Sequence, residues 1–188
     1  MRSKDLSDKM TLEERKAKVL IKLRGYKIIK RQEQKDAISF IIKMPREKKK
    51  ALLWCIPTKG TVGVAYANQL DKAMKEAEVD NGIIVTSGRY TQAAKKKAKE
   101  KGIELIPRIF PAFNIFKHIL VPKHEILAPE EKEELLAKYR VRPYQMPQIK
   151  ASDPAARAIG ARPGDIVRIL RESQTAGKYT AYRYVVED

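Results

Sequence analysis

A basic α/β domain followed by a small α+β domain closed by a β-hairpin is the fold class this sequence predicts. Three observations predict it. Apolar strand-like runs alternate with amphipathic stretches of helical period as far as about residue 110. From His118 the pattern changes to an acid-led helix, a proline-rich run and a stretch dense in turn signals. The charge divides at the same place: residues 1–124 hold 29 Lys and Arg against 13 Asp and Glu, whereas residues 125–188 hold 11 against 10, within a net charge of +17.

TLEERKAKVLIKLRGY opens the first domain as a helix. Thr11 and Glu14 have capping-box spacing, Leu12, Val19, Leu20 and Leu23 share a face, and Gly25 stops it. YKIIKR and AISFIIK are strands joined by a polar turn, and MPREKKK (Met44–Lys50) is an exposed loop. ALLWCI is a strand of the buried type. AYANQLDKAMKEAEV is a helix with Ala67, Leu70, Ala73, Met74 and Ala77 on one face. GIIVTS is the next strand, Thr91 caps the helix TQAAKKKAKEKG, which ends at Gly102, and IELIP is the last strand. This alternation predicts parallel pairing, with the loops Thr58–Gly63 and Ser87–Tyr90 at the strand ends, where open α/β sheets place binding groups.

In the second domain, APEEKEELLAKYRV is a helix with Pro129 and four glutamates early and Lys138 and Arg140 late, which complements the helix dipole. RPYQMPQI is expected to be extended because of its prolines. Ser152 or Asp153 caps a short helix beginning at Pro154 and ending at Gly160. ARPGD has Pro–Gly at the centre of a type II turn. DIVRILR and YTAYRYVV are hairpin strands joined by SQTAGK, and the hairpin edge is open to a partner strand.

Several chemistries are excluded or disfavoured. No apolar run reaches the roughly 18 residues a membrane span needs, and the N-terminal residues lack the apolar core of a secretory signal, so a soluble chain in a reducing compartment is expected. Cys55 is the only cysteine, placed in an apolar run where an inert, buried thiol is expected. GTVGVAY and SGRYT match neither a P-loop nor a dinucleotide fingerprint. His118 and His124 lack a third ligand, so no metal and no cofactor are expected. SGRYTQAAKKKAKEK instead offers a polyanion a helix N-terminus preceded by Ser87, Gly88 and Arg89 and followed by Lys95, Lys96, Lys97 and Lys99, with Tyr90 available to stack or hydrogen-bond. The alternative is a solvated, heat-adapted face.

The order of elements, together with GIIVTSGRYTQAAKKKAKEKGIELI, resembles the restriction-endonuclease-like fold, Mrr-type nucleases especially. That resemblance implies a metal-holding Asp and a following Glu/Gln-x-Lys. Asp36 and Lys59 match in part, but Pro57 stands where the second ligand belongs, so a catalytically inactive scaffold is expected.

VPKHEIL, EEKEELLAKY, MPQI, SDPAAR, GARPGDIVRI and ESQTAGKYTAYR, in this order, resemble the H-type small subunit of archaeal DNA-directed RNA polymerase, the equivalent of the fifth subunit shared by eukaryotic nuclear RNA polymerases. The resemblance implies a non-catalytic subunit, with an N-terminal jaw at residues 1–117, a linker at 118–123 and an assembly domain at 124–188. Its implied partners are the large polymerase subunits, an omega-like small subunit and downstream double-stranded DNA. It implies a cytoplasmic, nucleoid-associated location in an archaeon or a nuclear one in a eukaryote. The jaw's expected DNA face is Arg89, Thr91, Gln92, Lys95 and Lys96; the expected docking residues are Asp153, Pro154, Arg157, Arg171 and Tyr182. The rival readings are a metal-dependent nuclease and a free-standing, non-sequence-specific nucleic-acid-binding protein.

Overall fold

A computed structural model describes residues 10–34, 37–46, 49–173 and 177–187. The chain forms two compact units, one ending at Phe113 and the other beginning at Asn114.

The first unit opens with α1 (Leu12–Leu23), whose N-cap Thr11 accepts from the Glu14 N–H. Strands β1 (Lys27–Gln34), β2 (Ala37–Met44) and β3 (Lys49–Ile56) form an antiparallel meander. The expected loop Met44–Lys50 is thus taken up at both ends by strand, and Met44 is buried. A two-residue strand β4 (Thr61–Val62) leads into α2 (Val64–Glu76), and β5 (Asn81–Thr86) pairs parallel with β3. A second two-residue strand, β6 (Arg89–Tyr90), precedes α3 (Gln92–Glu100), and β7 (Ile103–Ile106) pairs parallel with β5. The main sheet runs β1-β2-β3-β5-β7.

Side chains alternate across this sheet, so each face packs its own helices. Leu52, Ile56 and Ile84 meet Ala67, Leu70 and Met74 of α2 and Ala98 of α3. Leu70 and Met74, both buried, each contribute about 2 kcal/mol through lost apolar exposure. The face α1 buries differs from the expected one. Leu12 is 49% exposed and Val19 only half-buried; Ala17, Leu20 and Ile21 are buried together with Glu13, Glu14 and Lys16. Two of these charged groups have partners. The Glu14 carboxylate sits 3.2 Å from Lys18 Nζ and 3.4 Å from Arg31, and Lys16 Nζ donates to the Arg108 carbonyl at 2.6 Å. Arg24, at the end of α1, donates both arms of its guanidinium to Glu104 on β7 at 2.6 and 2.7 Å, a planar fork that fixes helix to sheet.

The second unit sandwiches a sheet between two helices. Strand β8 (Lys123–Ile126) precedes α4 (Pro129–Tyr139), and β9 (Gln148–Lys150) precedes α5 (Pro154–Ile159). The hairpin β10 (Ile166–Ser173) and β11 (Gly177–Val186) closes it, giving the order β8-β10-β11-β9. Pro143–Gln145 is a 3-10 turn rather than extended chain. Proline's fixed φ suits the first position of such a turn, and Arg142 N donates to the Gln145 side chain at 2.7 Å. The Pro–Gly turn is present as expected: Asp165 N donates to the Arg162 carbonyl at 3.0 Å across Gly164, whose φ of 95° suits glycine.

The hairpin edges are less open than the sequence suggested. β8 covers Val167–Leu170 of β10, and β9 covers Tyr184–Val186 of β11. Glu125 of β8 accepts from Lys123 at 2.6 Å and from Arg168 of β10 at 2.8 Å, and hydrogen bonds from Lys123 first and Arg168 second hold its carboxyl below the usual 4.5. Because the folded value is depressed, this contribution to stability is complete above the unfolded value and is lost as pH falls through the folded one. Glu125→Gln is therefore expected to lower the thermal midpoint at pH 7 more than at pH 3; an equal loss at both would show that the ion pairs contribute nothing.

Candidate functional site

The parallel strands β3 and β5 end side by side, and the loops that follow are stitched together. Buried Thr86 donates its hydroxyl to the Ile56 carbonyl at 3.0 Å and accepts from Gly88 N at 3.1 Å. Arg89 N donates to the Gly60 carbonyl at 3.0 Å and Thr91 N to the Val62 carbonyl at 3.2 Å, the ladder that makes β4 and β6 a parallel pair. A Cβ built on Gly88 lies 2.3 Å from the Gly60 carbonyl oxygen, so the two loops meet backbone to backbone. Neither the ladder nor the Thr86 pin was legible from the sequence; the paired glycines at 60 and 88 were its only signal.

This stitching sets the start of α3. Thr91 caps the helix by accepting from Ala94 N at 3.1 Å, leaving the first N–H groups of the helix to an outside acceptor. Arg89, Gln92, Lys95 and Lys96 are exposed around that end, so the structure brings together all five residues expected there. Lys97 differs: its amine bonds Glu100 at 2.9 Å and, through that bond, lowers the Glu100 pKa. No ion pair ties up Arg89, Lys95 or Lys96 among the described residues. Of the two expected roles of Tyr90, stacking or hydrogen bonding, the structure shows hydrogen bonding, and to the protein's own backbone. Its hydroxyl lies 3.0 Å from the carbonyls of both Ile84 and Ile106, and burial pushes its pKa up. The arrangement can offer an anion both cationic side chains and free helix N–H groups.

Of the nuclease constellation, Asp36 lies outside the described residues, Pro57 has no ligating side-chain atom, and Lys59 is exposed. Among the described residues no three His, Cys, Asp or Glu side chains converge to hold a metal. Burial chiefly, with Glu14 and Glu13 adding, pushes the Cys55 pKa up, so this thiol stays protonated.

In the second unit the expected docking residues separate. Asp153, Pro154 and Arg171 meet at one hollow. Arg157 follows within α5, while Tyr182 packs on the other side of the sheet against the cluster of Leu127, Leu135 and Ile166. Asp153 is a cap, accepting from Ala155 N at 2.8 Å and Ala156 N at 3.2 Å. Lys150 and Arg183, which the sequence does not single out, and His124, weighed there only as a metal ligand, line the same hollow.

Comparison with known proteins accounts for both units. A family model described as RNA polymerase Rpb5, C-terminal domain, matches residues 113–185, and one described as restriction endonuclease matches residues 9–109. The class these define is a non-catalytic RNA polymerase subunit whose N-terminal domain has a nuclease-like, jaw-like fold. The Pyrococcus abyssi DNA-directed RNA polymerase subunit Rpo5 is 67% identical over 76 residues, which are 40% of this chain and 93% of that protein. The Staphylothermus marinus subunit Rpo5 is 56% identical over 75 residues, 40% of this chain and 82% of that one. The Caenorhabditis elegans DNA-directed RNA polymerases I, II, and III subunit RPABC1 is 36% identical over 134 residues, 69% of this chain and 64% of that one. That last match is longer than the second unit and so extends into the first. The chain belongs to the Rpb5 family of RNA polymerase subunits, which includes the archaeal Rpo5 proteins.

Proposed function

We propose that the chain assembles on the largest subunit of a DNA-directed RNA polymerase, beside the omega-like subunit, through its second unit, while its first unit lies along downstream duplex DNA. Phosphodiester synthesis then belongs to the large subunits, and this chain supplies shape and charge. The observation that carries this reading is the charge split, which leaves residues 125–188 almost neutral and sets Arg89, Lys95 and Lys96 around an N–H-bearing helix end in the first unit. A fold built for nuclease chemistry, lacking a ligating side chain at Pro57, retains a phosphate-facing surface without the second metal ligand that hydrolysis requires. We take Asp153, Pro154, Arg157 and Arg171 as the docking set and leave out Tyr182, whose ring packs against the cluster of Leu127, Leu135 and Ile166. The stretch of β11 from Gly177 to Arg183, which β9 leaves uncovered, is the edge open to a partner strand.

Affinity-tagged protein is expected to bring down the large polymerase subunits, read by mass spectrometry. Recovery of the chain alone, or duplex cleavage with Mg²⁺ or Mn²⁺ that Asp36→Ala abolishes, replaces this reading with one of its rivals. The match to the restriction-endonuclease model is what makes the cleavage assay necessary.

A further inference from the structure

We propose that the hollow at the start of α5 receives an acidic side chain from an extended segment of a neighbouring polymerase subunit, an inference that rests on the assembly reading above. The hollow exists because α5 is only six residues long. It covers Val167, Ile169 and Val185 but stops short of Arg171, which lies on the same face of the sheet two residues beyond Ile169. What remains uncovered is an open space of about 540 Å³, floored by Ile169 and Ile149 and walled by Lys150, Arg171, Arg183 and His124.

Its charge is local and unbalanced. Three cations face one carboxylate, that of Asp153, whose Oδ1 accepts from two backbone N–H groups of α5. Arg183 gives one guanidinium N–H to the Gln148 carbonyl at 2.9 Å, which holds it in place while its remaining donors stay available. Lys150 and Arg171 have no carboxylate partner among the described residues. Since residues 125–188 carry only one excess positive charge, this concentration is not part of a general basic surface. The cost of holding like charges together is recovered when an anion enters.

Shape and lining choose the kind of anion. A nucleic acid is held by a long track of cations beneath a solvated backbone. Here an apolar floor lies under a compact group of donors, in a volume typical of small-ligand sites. That combination suits the aliphatic stem and carboxylate of a glutamate or aspartate, which an arginine fork engages with two parallel bonds.

The test uses the full chain and polymerase purified without this subunit. Lys150 and Arg171 are both exposed, so Lys150→Glu/Arg171→Glu is expected to keep the wild-type thermal midpoint. It is expected to enter the polymerase at least about tenfold more weakly than wild type in direct competition. In the wild-type complex, carbodiimide, which joins an amine only to a carboxylate in contact with it, is expected to couple Lys150 to an Asp or Glu of another subunit, identified by mass spectrometry. Wild-type protein that enters the polymerase, with a double variant that enters equally well and Lys150 left uncoupled, overturns the pocket while leaving the assembly reading intact. Loss of duplex DNA binding without loss of incorporation assigns the hollow to nucleic acid and overturns it too. Wild-type protein that does not enter the polymerase removes the assembly reading itself, and the proposed occupant with it.

Discussion

Gly88→Ala is expected to cost about 2–3 kcal/mol of stability and to lower duplex affinity although every cation is retained. The added methyl group would lie 2.3 Å from the Gly60 carbonyl oxygen and 3.3 Å from that of Thr58, against backbone on both sides. No rotamer change relieves a clash between main chains, so one loop must move. Moving it breaks the bonds from Arg89 N to Gly60 and from Thr91 N to Val62, which aim the start of α3. Gly60→Ala is the matched control. Its Cβ meets only the Thr58 hydroxyl, at 3.5 Å, an ordinary contact, and its expected effect is within about 0.5 kcal/mol. Urea unfolding and fluorescence anisotropy on a labelled duplex measure the two effects. Equal stability of the two variants would show that the loops are not in contact.

This site also shows what sequence reading can and cannot reach. The helix start at Thr91 was legible because a cap is local chemistry, a hydroxyl three residues before the N–H it accepts. The same holds for the cap of α5, legible as Ser152 or Asp153 and made by Asp153, and for the glutamates that open α4. Strands β3, β5 and β7 were legible because their apolar runs are bounded by turn residues and spaced by helices. The pair β4–β6 was not, since two residues of ladder have no pattern and arise only when distant loops are brought into register. The face of α1 was misassigned for a different reason. Apolar periodicity pointed to Leu12 and Val19, but the helix lies on the sheet through small Ala17, and this draws Glu13, Glu14 and Lys16 inward, where Lys18, Arg31 and the Arg108 carbonyl serve the latter two. The hollow beside α5 collects residues from four separate stretches, and only strand register puts Arg171, Arg183 and His124 on one face.

Lys95→Glu/Lys96→Glu is expected to give the largest functional effect, a loss of roughly tenfold to a hundredfold in duplex affinity at 50 mM salt that shrinks toward none at high salt. Each phosphate neutralised by a lysine releases condensed counterions and contributes about 0.9 to the slope of log affinity against log salt, so removing two contacts is expected to flatten that slope by about 2. The expectation depends on these two amines being uncommitted within the protein. Lys97 supplies the comparison within the same helix turn, because its amine already bonds Glu100; Lys97→Gln is expected to change the slope less than either Lys95→Gln or Lys96→Gln alone. Because the contacts are to backbone, the loss is expected to be the same on duplexes of unrelated sequence. A loss that stayed equal at 50 mM and 500 mM salt would mean that the substitutions had disturbed α3 rather than removed phosphate contacts. A loss confined to one duplex sequence would mean that this helix end reads bases. Either result would count against backbone phosphate contact by Lys95 and Lys96, the first because α3 itself would have moved and the second because the contacts would be to bases.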